Sequence, residues 1–338
     1  MTLEKLHFRN FRNFQDFHFT FADNKILRVF GDNGTGKTNL LEAVFILFTT
    51  RSFRNRKTLK DCVKFGEDFF HLQGDIDGQN HGITFVQEGN EKSFFIMHNK
   101  VKGSEYFKGK SILHFSPEET TAFFQSQEVR RSLLDRYLSS LQSEFFDDLI
   151  QFATLRNRKV QIINSNTRRK EDLLKLERDQ FVSLSNKISD FREGFINQLN
   201  PIFQRYVEQY NSKLERTTLR YKRKNIPEDF LEKELQQQRV LYGCQKDELE
   251  ITENGREVRH FFSNGEKKVI NLAIHFAFMD LLRINSGLTC LACLDDVESE
   301  LDQKILKNIL RNIEESNSQY IITSKLVDHW STNDLLLK

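Results

Sequence analysis

Gly31-Asp32-Asn33-Gly34-Thr35-Gly36-Lys37-Thr38 carries glycine, lysine and threonine at the spacing G-x-x-x-x-G-K-[ST]. Residues so spaced can wrap backbone N–H groups around phosphates, because glycine tolerates positive φ and puts no Cβ in the ligand's path. Lys37 is placed to bridge the β- and γ-phosphates and Thr38 to ligate Mg²⁺. Asn39 follows in a helix whose N-terminal dipole favours the anion. A second candidate lies far along the chain, where the apolar run Leu288 to Leu294 ends in Asp295-Asp296. A carboxylate at the end of such a strand can hold the Mg²⁺ shell, the role expected of Asp295. Asp296 stands where a water-activating carboxylate is needed.

A third segment, Phe262-Ser263-Asn264-Gly265-Glu266-Lys267-Lys268, lies upstream of that strand and just before a helix. Serine there can be a simple N-cap. In ATP-binding-cassette proteins the same layout binds the γ-phosphate of an ATP held by the opposite protomer. Ser263 would supply a hydroxyl and Gly265 close backbone approach. One protomer cannot then complete the site, so ATP is expected to hold a homodimer together.

These residues need a frame. Ile26 to Phe30 reads as an apolar strand before the loop, and Asn39 to Phe48 as a buried helix after it. Leu6 to Phe8 and Phe17 to Phe21 alternate as strands around a basic turn, Arg9 to Phe14. Phe69 to Ile96 reads as antiparallel strands with turns at Asp77-Gly78 and Glu88-Gly89-Asn90. Ile112 to Phe115 is a further strand ended by Pro117. From Thr120 to Arg239 the chain is nearly free of glycine and reads as helical. Leu174, Phe181, Ile188, Phe195 and Ile202 recur every seven residues, with Leu184, Phe191 and Tyr206 alongside. Pro201 is expected to limit that helix to roughly 30 residues, or about 45 Å, which suits a packed lobe better than an extended coiled coil. Strand and helix texture then returns: a hairpin around Asn254-Gly255, a helix over 267–284, a strand over 289–294, a helix over 303–315 and a strand over 320–323. The expected fold is α/β. A P-loop ATPase head is assembled from both chain ends, residues 1–119 and 240–338, with a helical lobe inserted at 120–239.

The 338 residues suit two lobes. Lys+Arg 50 against Asp+Glu 48 gives a net charge of only +2, so any nucleic-acid surface must be a local patch. Phe is abundant at 32 residues and is read as core rather than as a stacking platform. Met1 to Phe11 is charged and alternating, unlike a secretory signal, and no uninterrupted apolar run is long enough to span a membrane. Cys62, Cys244, Cys290 and Cys293 make no disulfide framework. Cys290-x-x-Cys293 lies in an apolar run and is read as buried thiols rather than half of a zinc site. The expected compartment is the cytoplasm.

The order of motifs resembles the RecF family of SMC-type ATPases along nearly the whole chain. Leu6 to Asn13 resembles the family's first strand and R-N-[FY]-R-N turn. Gly31 to Asn39 with Leu41-Glu42-Ala43 resembles its P-loop, and Arg51-Ser52-Phe53-Arg54 its short basic stretch. Phe115-Ser116-Pro117-Glu118 and Arg130 to Asp135 resemble its F-x-P-E and R-R-x-x-L-D elements. Asp295 to Asp302 is very like its D-D-V-x-S-E-L-D. Leu155-Arg156-Asn157 departs from Q-R-N. Ser263 to Lys268 departs from S-Q-G-Q-Q-R, and Gly243 to Glu248 from G-P-H-R-D-D. The Walker B strand carries Cys290, Ala292 and Cys293 where bulky aliphatics are usual. That last departure makes slow hydrolysis the expectation. The resemblance implies an ABC-type head, ATP-dependent dimerisation, binding to duplex DNA near gaps, help in loading a recombinase, and RecR-like and RecO-like mediator partners.

Candidate DNA contacts are four basic clusters: Arg51, Arg54, Arg56 and Lys57; Arg156, Arg158 and Lys159; Arg168, Arg169 and Lys170; and Lys222, Arg223 and Lys224. Two other readings compete with a DNA-binding ATPase. One is an ATP-gated DNA scaffold or clamp with negligible hydrolysis. The other is a different P-loop NTPase, although Asn186-Lys187-Ile188-Ser189 lacks the Asp of a guanine-reading N-K-x-D.

Overall fold

The computed structural model describes residues 1–21, 25–55, 57–324 and 334–337. Packing divides the chain into two compact units, Met1–Thr121 with Leu282–Lys338, and Ala122–Leu281.

The first unit opens with the antiparallel pair β1 (Leu3–Phe11) and β2 (Phe14–Thr20). Alternation along β1 buries Leu6 and Phe8 and turns Lys5, His7 and Arg9 outward. The turn is shorter than the sequence suggests. Arg9, Asn10 and Phe11 belong to β1, because Phe11 is buried opposite Phe14, and only Arg12–Asn13 lie between the strands. Next come β3 (Ile26–Phe30), buried at every position, and α1 (Lys37–Thr49), buried from Leu40 onward. A helix apolar on all sides must be enclosed. Leu40, Leu41, Val44 and Phe48 share one core with Phe8 and Leu72 from one sheet and Val29 and Ile321 from the other. The strands β4 (Phe69–Ile76), β5 (Gln79–Val86), β6 (Glu91–Ile96) and β7 (Asn99–Val101) complete the antiparallel sheet in the order β2-β1-β4-β5-β6-β7. A short α2 (Gly103–Phe107) leads to β8 (Ile112–Phe115) and then α3 (Pro117–Gln125).

The second unit contains α4 (Gln127–Leu141), α5 (Ser143–Asn164) and α6 (Lys170–Tyr210). Pro201 does not end α6, which runs 41 residues through it. Leu199, Phe203 and Val207 continue the buried stripe across the proline, and their packing outweighs the ~3 kcal/mol cost of proline inside a helix. The stripe also leaves its sevenfold repeat after Phe195 for a spacing of four, so Ile202 is only half buried. That drift belongs to a straight helix packed in a lobe rather than to a supercoil. β9 (Thr217–Lys222), unexpected from the sequence, and α7 (Phe230–Gln237) precede β10 (Glu248–Glu253), β11 (Arg256–Glu257) and α8 (Asn264–Ser286).

Residues 240–281 were expected to pack with the head, but by contacts they fall in the helical unit. The cause is local. β10 pairs with β9 along its whole length. Arg130 on α4 donates to the Leu249 carbonyl at 2.7 Å and pairs with Glu257 at 2.9 Å. Asp280 near the end of α8 accepts from Tyr206 at 2.9 Å. Buried Asp247 ties the segment further, accepting from Ser189 and Tyr221 at 2.6 Å each.

The chain then re-enters the first unit as β12 (Leu291–Leu294), α9 (Gln303–Glu315), β13 (Gln319–Thr323) and β14 (Asp334–Leu336). These strands join β3 and β8 in a parallel sheet of order β14-β3-β13-β12-β8. The carboxyl ends of β3, β12, β13 and β8 thus lie along one edge, the usual place for a ligand in a parallel α/β sheet.

Candidate functional site

That edge holds a cleft of about 300 Å³ lined by Asn33, Gly34, Gly36, Lys37, Thr38, Asn39, Arg54, Pro117, Glu118, Asp295, Asp296, Thr323 and Ser324. Two segments more than 250 residues apart in sequence meet there, the glycine loop after β3 and the acidic pair after β12. Gly31, Asp32 and Thr35 complete the loop without lining the cleft. Thr35 Oγ1 donates to the Asp32 carbonyl at 3.0 Å. Lys37 Nζ donates to the carbonyls of Gly31 and Asp32 at 2.5 and 2.9 Å, which holds its ammonium inside the loop. Gly36 has φ 108° and Gly31 φ 153°. A Cβ on Gly36 would lie 2.8 Å from Asn13 Nδ2, and one on Gly31 would lie 2.6 Å from the Leu337 carbonyl, so neither position admits a side chain.

The acidic pair is fixed from the neighbouring strand. The Thr323 hydroxyl, at the end of β13, donates to Asp295 Oδ1 and accepts the Asp296 amide at 3.1 Å. Asp296 adopts φ 48°, a left-handed conformation that costs a non-glycine residue energy and recurs at functional sites. The Thr38 hydroxyl, Asp295 and Asp296 put hard oxygen donors on one cleft, the ligand chemistry Mg²⁺ takes. Beside them the Ser324 hydroxyl donates to both carboxylate oxygens of Glu298 at 2.8 Å.

A buried charge network braces the loop from behind. Glu42, fully buried on α1, accepts from Arg12 Nε and Nη2 at 2.8 Å each and from the Ser52 hydroxyl at 2.5 Å. Burial lowers the Arg12 pKa, but Glu42's hydrogen bond and charge outweigh it and raise the pKa overall. Burial, then the Glu42 charge, pushes the neighbouring Cys62 thiol up to about 12. Asn13, on the same turn as Arg12, donates to the Thr35 carbonyl at 3.1 Å and accepts from Asn39 at 2.8 Å. Arg54 in turn donates to Asn39 Oδ1 at 2.7 Å. The N-terminal turn thus grips the P-loop through polar contacts that the sequence does not reveal.

The match to known proteins covers nearly all of these elements. Residues 2–336 fit the model described as RecF/RecN/SMC N terminal domain. The chain belongs to that family. A DNA replication and repair protein RecF from Clostridioides difficile is 27% identical over 350 residues, spanning 97% of this chain and 93% of the relative. One from Caldanaerobacter subterraneus is 29% identical over 347 residues, spanning 96% and 95%. Among solved structures, the recombination mediator RecF–ATP of the RecFOR pathway superposes with a TM-score of 0.85 at 23% identity, covering 97% of this chain and 93% of that one. An Smc head bound to the C-winged helix domain of ScpA gives 0.57 at 16%, covering 97% and 90%. At these identities the structures establish the fold of the RecF/RecN/SMC head.

The other residues singled out in the sequence have varied placements. Ser263 and Gly265 stand at the start of α8 and do not line the cleft. Ser263 caps the helix, engaged by Glu266. Arg54, grouped with possible DNA contacts, lies instead in the cleft wall, and Arg56 is outside the described residues. Lys159 is not a surface cation. It is buried with Nζ 2.6 Å from Glu234 Oε2, over the rings of Phe181 and Phe230. Lys222, Arg223 and Lys224 are each paired, with Glu250, Asp190 and Glu248. Arg158 pairs with Glu177 at 2.7 Å. Arg51, Lys57, Arg156, Arg168 and Arg169 remain exposed. All four cysteines are buried and free, and burial pushes the Cys290 thiol up to about 12. Among the described residues no helix is long and apolar enough to cross a membrane.

Proposed function

We propose that this chain is an ATP-switched DNA-binding protein of replication and repair, hydrolysing ATP slowly to reset itself. The observation that carries the reading is the single cleft on which Lys37, Thr38, Asp295 and Asp296 meet. Its glycine loop offers amides and Lys37 to a triphosphate. Mg²⁺ held by Thr38 and Asp295 would supply charge neutralisation between phosphates. Asp296 orients and deprotonates the attacking water. RecF relatives in replication and repair, at full length, support the DNA role. So does a RecF–ATP structure of the RecFOR pathway. In this reading ATP joins two copies, with Ser263 and Gly265 of each facing the phosphate of the other, and RecR-like and RecO-like mediators act beside it in the cytoplasm. DNA contact runs mostly to phosphates near gaps, through exposed cations such as Arg51 and Lys57.

The second reading, an ATP-gated clamp with negligible hydrolysis, is favoured by one observation. The Glu266 carboxylate lies against Ser263, where a phosphate would bind.

Fluorescence anisotropy on a gapped duplex, with and without ATP·Mg²⁺, tests the main reading. Binding by the wild type strengthens with ATP, and that by Lys37→Ala does not. No binding in any nucleotide state at modest salt overturns the DNA role. Steady-state ATPase with an Asp296→Asn control separates the two readings, since a clamp shows no rate above the control.

A further inference from the structure

On the outward face of the β1–β2 hairpin, away from the nucleotide cleft, two imidazoles and a carboxylate converge. His7 and His18 are direct cross-strand partners, and Asp16 precedes His18 by two residues on the same face. Leu6 and Phe8 on either side of His7 point into the core, which fixes His7 outward. The His7 and His18 rings stack with centroids 3.8 Å apart and planes 11° from parallel. His7 Nε2 and His18 Nε2 each lie 3.0 Å from the same oxygen, Asp16 Oδ1. All three ligand atoms fall within 4.8 Å of one another.

Within the protein only His7 Nε2 is hydrogen-bonded to Asp16 Oδ1, and His18 Nε2 lies equally near without a hydrogen bond of its own to it. Lone pairs lie in the ring planes, so stacked rings do not aim at one point, and a cation uses all three groups once one exposed imidazole swings out of the stack. Tetrahedral bonds to nitrogen and oxygen of about 2.1 Å put ligand atoms roughly 3.4 Å apart. The observed 3.0 Å between each imidazole nitrogen and Asp16 needs only side-chain rotation to reach that spacing. The side chains are 30%, 54% and 68% exposed at His7, Asp16 and His18, so an ion can enter and water can fill the remaining coordination position. Two imidazole nitrogens with one carboxylate favour zinc, nickel or copper over magnesium and calcium, which prefer all-oxygen shells.

We propose that His7, Asp16 and His18 form a surface site for a late first-row divalent cation, zinc being the representative. The cation clips β1 to β2, and the hairpin it closes ends in Arg12 and Asn13, the residues that hold Glu42 and the P-loop. His71 on β4 lies beside the cluster, edge-on to His7 at 6.5 Å, with its Nδ1 engaged by Thr84 Oγ1. It limits access from that side rather than adding a ligand.

The test is calorimetric titration of zinc chloride into the tag-free, chelator-stripped full chain, with magnesium present and nucleotide absent. Wild type takes up one equivalent at the hairpin, and its melting temperature rises with zinc. His18→Asn and Asp16→Asn each weaken binding at least ~tenfold. Both positions are more than half exposed, so the variants fold, and their melting temperatures in chelator match that of wild type. Cobalt substitution adds a visible d–d band that both variants lose. Equal affinity and stoichiometry in all three proteins, or no uptake by wild type at micromolar zinc, overturns the site.

Discussion

The Ser263 hydroxyl donates to a Glu266 carboxylate oxygen at 2.8 Å, and the Glu266 amide donates back to the same hydroxyl at 3.3 Å. The Ser263 amide also donates to that carboxylate, at 2.8 Å. This is a capping box, with the N-cap serine and the third helical residue satisfying each other. It stabilises the start of α8, but it engages the one hydroxyl on which phosphate recognition from a second protomer would depend.

Glu266→Gln separates the two roles. Glutamine keeps the box and removes the negative charge, so α8 stability changes by less than ~0.5 kcal/mol. ATP-dependent dimerisation becomes tighter, by about tenfold, because the phosphate no longer meets a carboxylate. Sedimentation velocity with ATP, in an Asp296→Asn background, reads the change. Dimerisation that is unchanged or weaker in the glutamine variant removes Ser263 from the phosphate contact.

Thr323 is the next test, because one hydroxyl serves both acidic residues. Thr323→Val keeps the shape of β13 and deletes the donor to Asp295 and the acceptor for the Asp296 amide. The loss costs ~1–3 kcal/mol of stability, since both groups lie at a largely buried strand end. ATP hydrolysis falls at least ~tenfold while ATP binding holds, as the P-loop is untouched. Equal turnover by the variant would show that the hydroxyl does not set the geometry of the pair.

Arg12 and Glu42 form a buried bidentate pair with a predictable asymmetry. Removing one partner leaves a poorly compensated charge, eased for Glu42 by Ser52 and by Arg54 at 3.4 Å, so Glu42→Leu or Arg12→Met alone costs ~1–3 kcal/mol in urea unfolding. The double variant recovers most of that loss. Nucleotide affinity drops in the single variants because the turn that holds Thr35 and Asn39 loosens. Additive losses in the double variant would mean that the two side chains act separately.

The P-loop and the acidic strand end are local patterns, readable because glycine, lysine and aspartate have few substitutes at those positions. β3, α1, β8 and α9 follow from apolar periodicity. Glu42, by contrast, looks like a surface glutamate in an apolar helix, and its partner Arg12 is 30 residues away. Thr323 is 28 residues from Asp295 and carries no motif. β9 is hidden because four of its six residues, Thr217, Thr218, Arg220 and Lys222, are polar or charged, and the strand is completed by pairing with β10. The length of α6 exceeds the expectation because tertiary burial beyond Pro201 overrides a local breaker. Lys159 read as surface because nothing near it in sequence announces Glu234, Phe181 or Phe230. What escaped is long-range pairing of polar groups, which leaves no periodic trace.

Lys110 supplies a pH dependence. Its ammonium is buried over the Tyr106 ring, 3.7 Å from the centroid, and donates to the Tyr106 carbonyl. Burial lowers its pKa from 10.5 to about 7. Burial, followed by the Lys110 charge, lowers that of neighbouring His81 to about 4, with Asp77 opposing. Both folded-state values lie below the unfolded ones, so the folded chain binds fewer protons. For Lys110 the window runs from about 7 to 10.5, and stability rises with pH across it by up to ~1.4 kcal/mol per pH unit. For His81 it runs from 6.5 to about 4, and stability falls as the solution is acidified. The buried thiols, pushed up from 9.0, act in the opposite sense at higher pH. The useful range is therefore about pH 7 to 8.5. Urea unfolding there gives a rising free energy for wild type and a flat one for Lys110→Met, which is also the more stable of the two at pH 7. Parallel slopes would place the Lys110 pKa near its ordinary value and assign any rise to other groups.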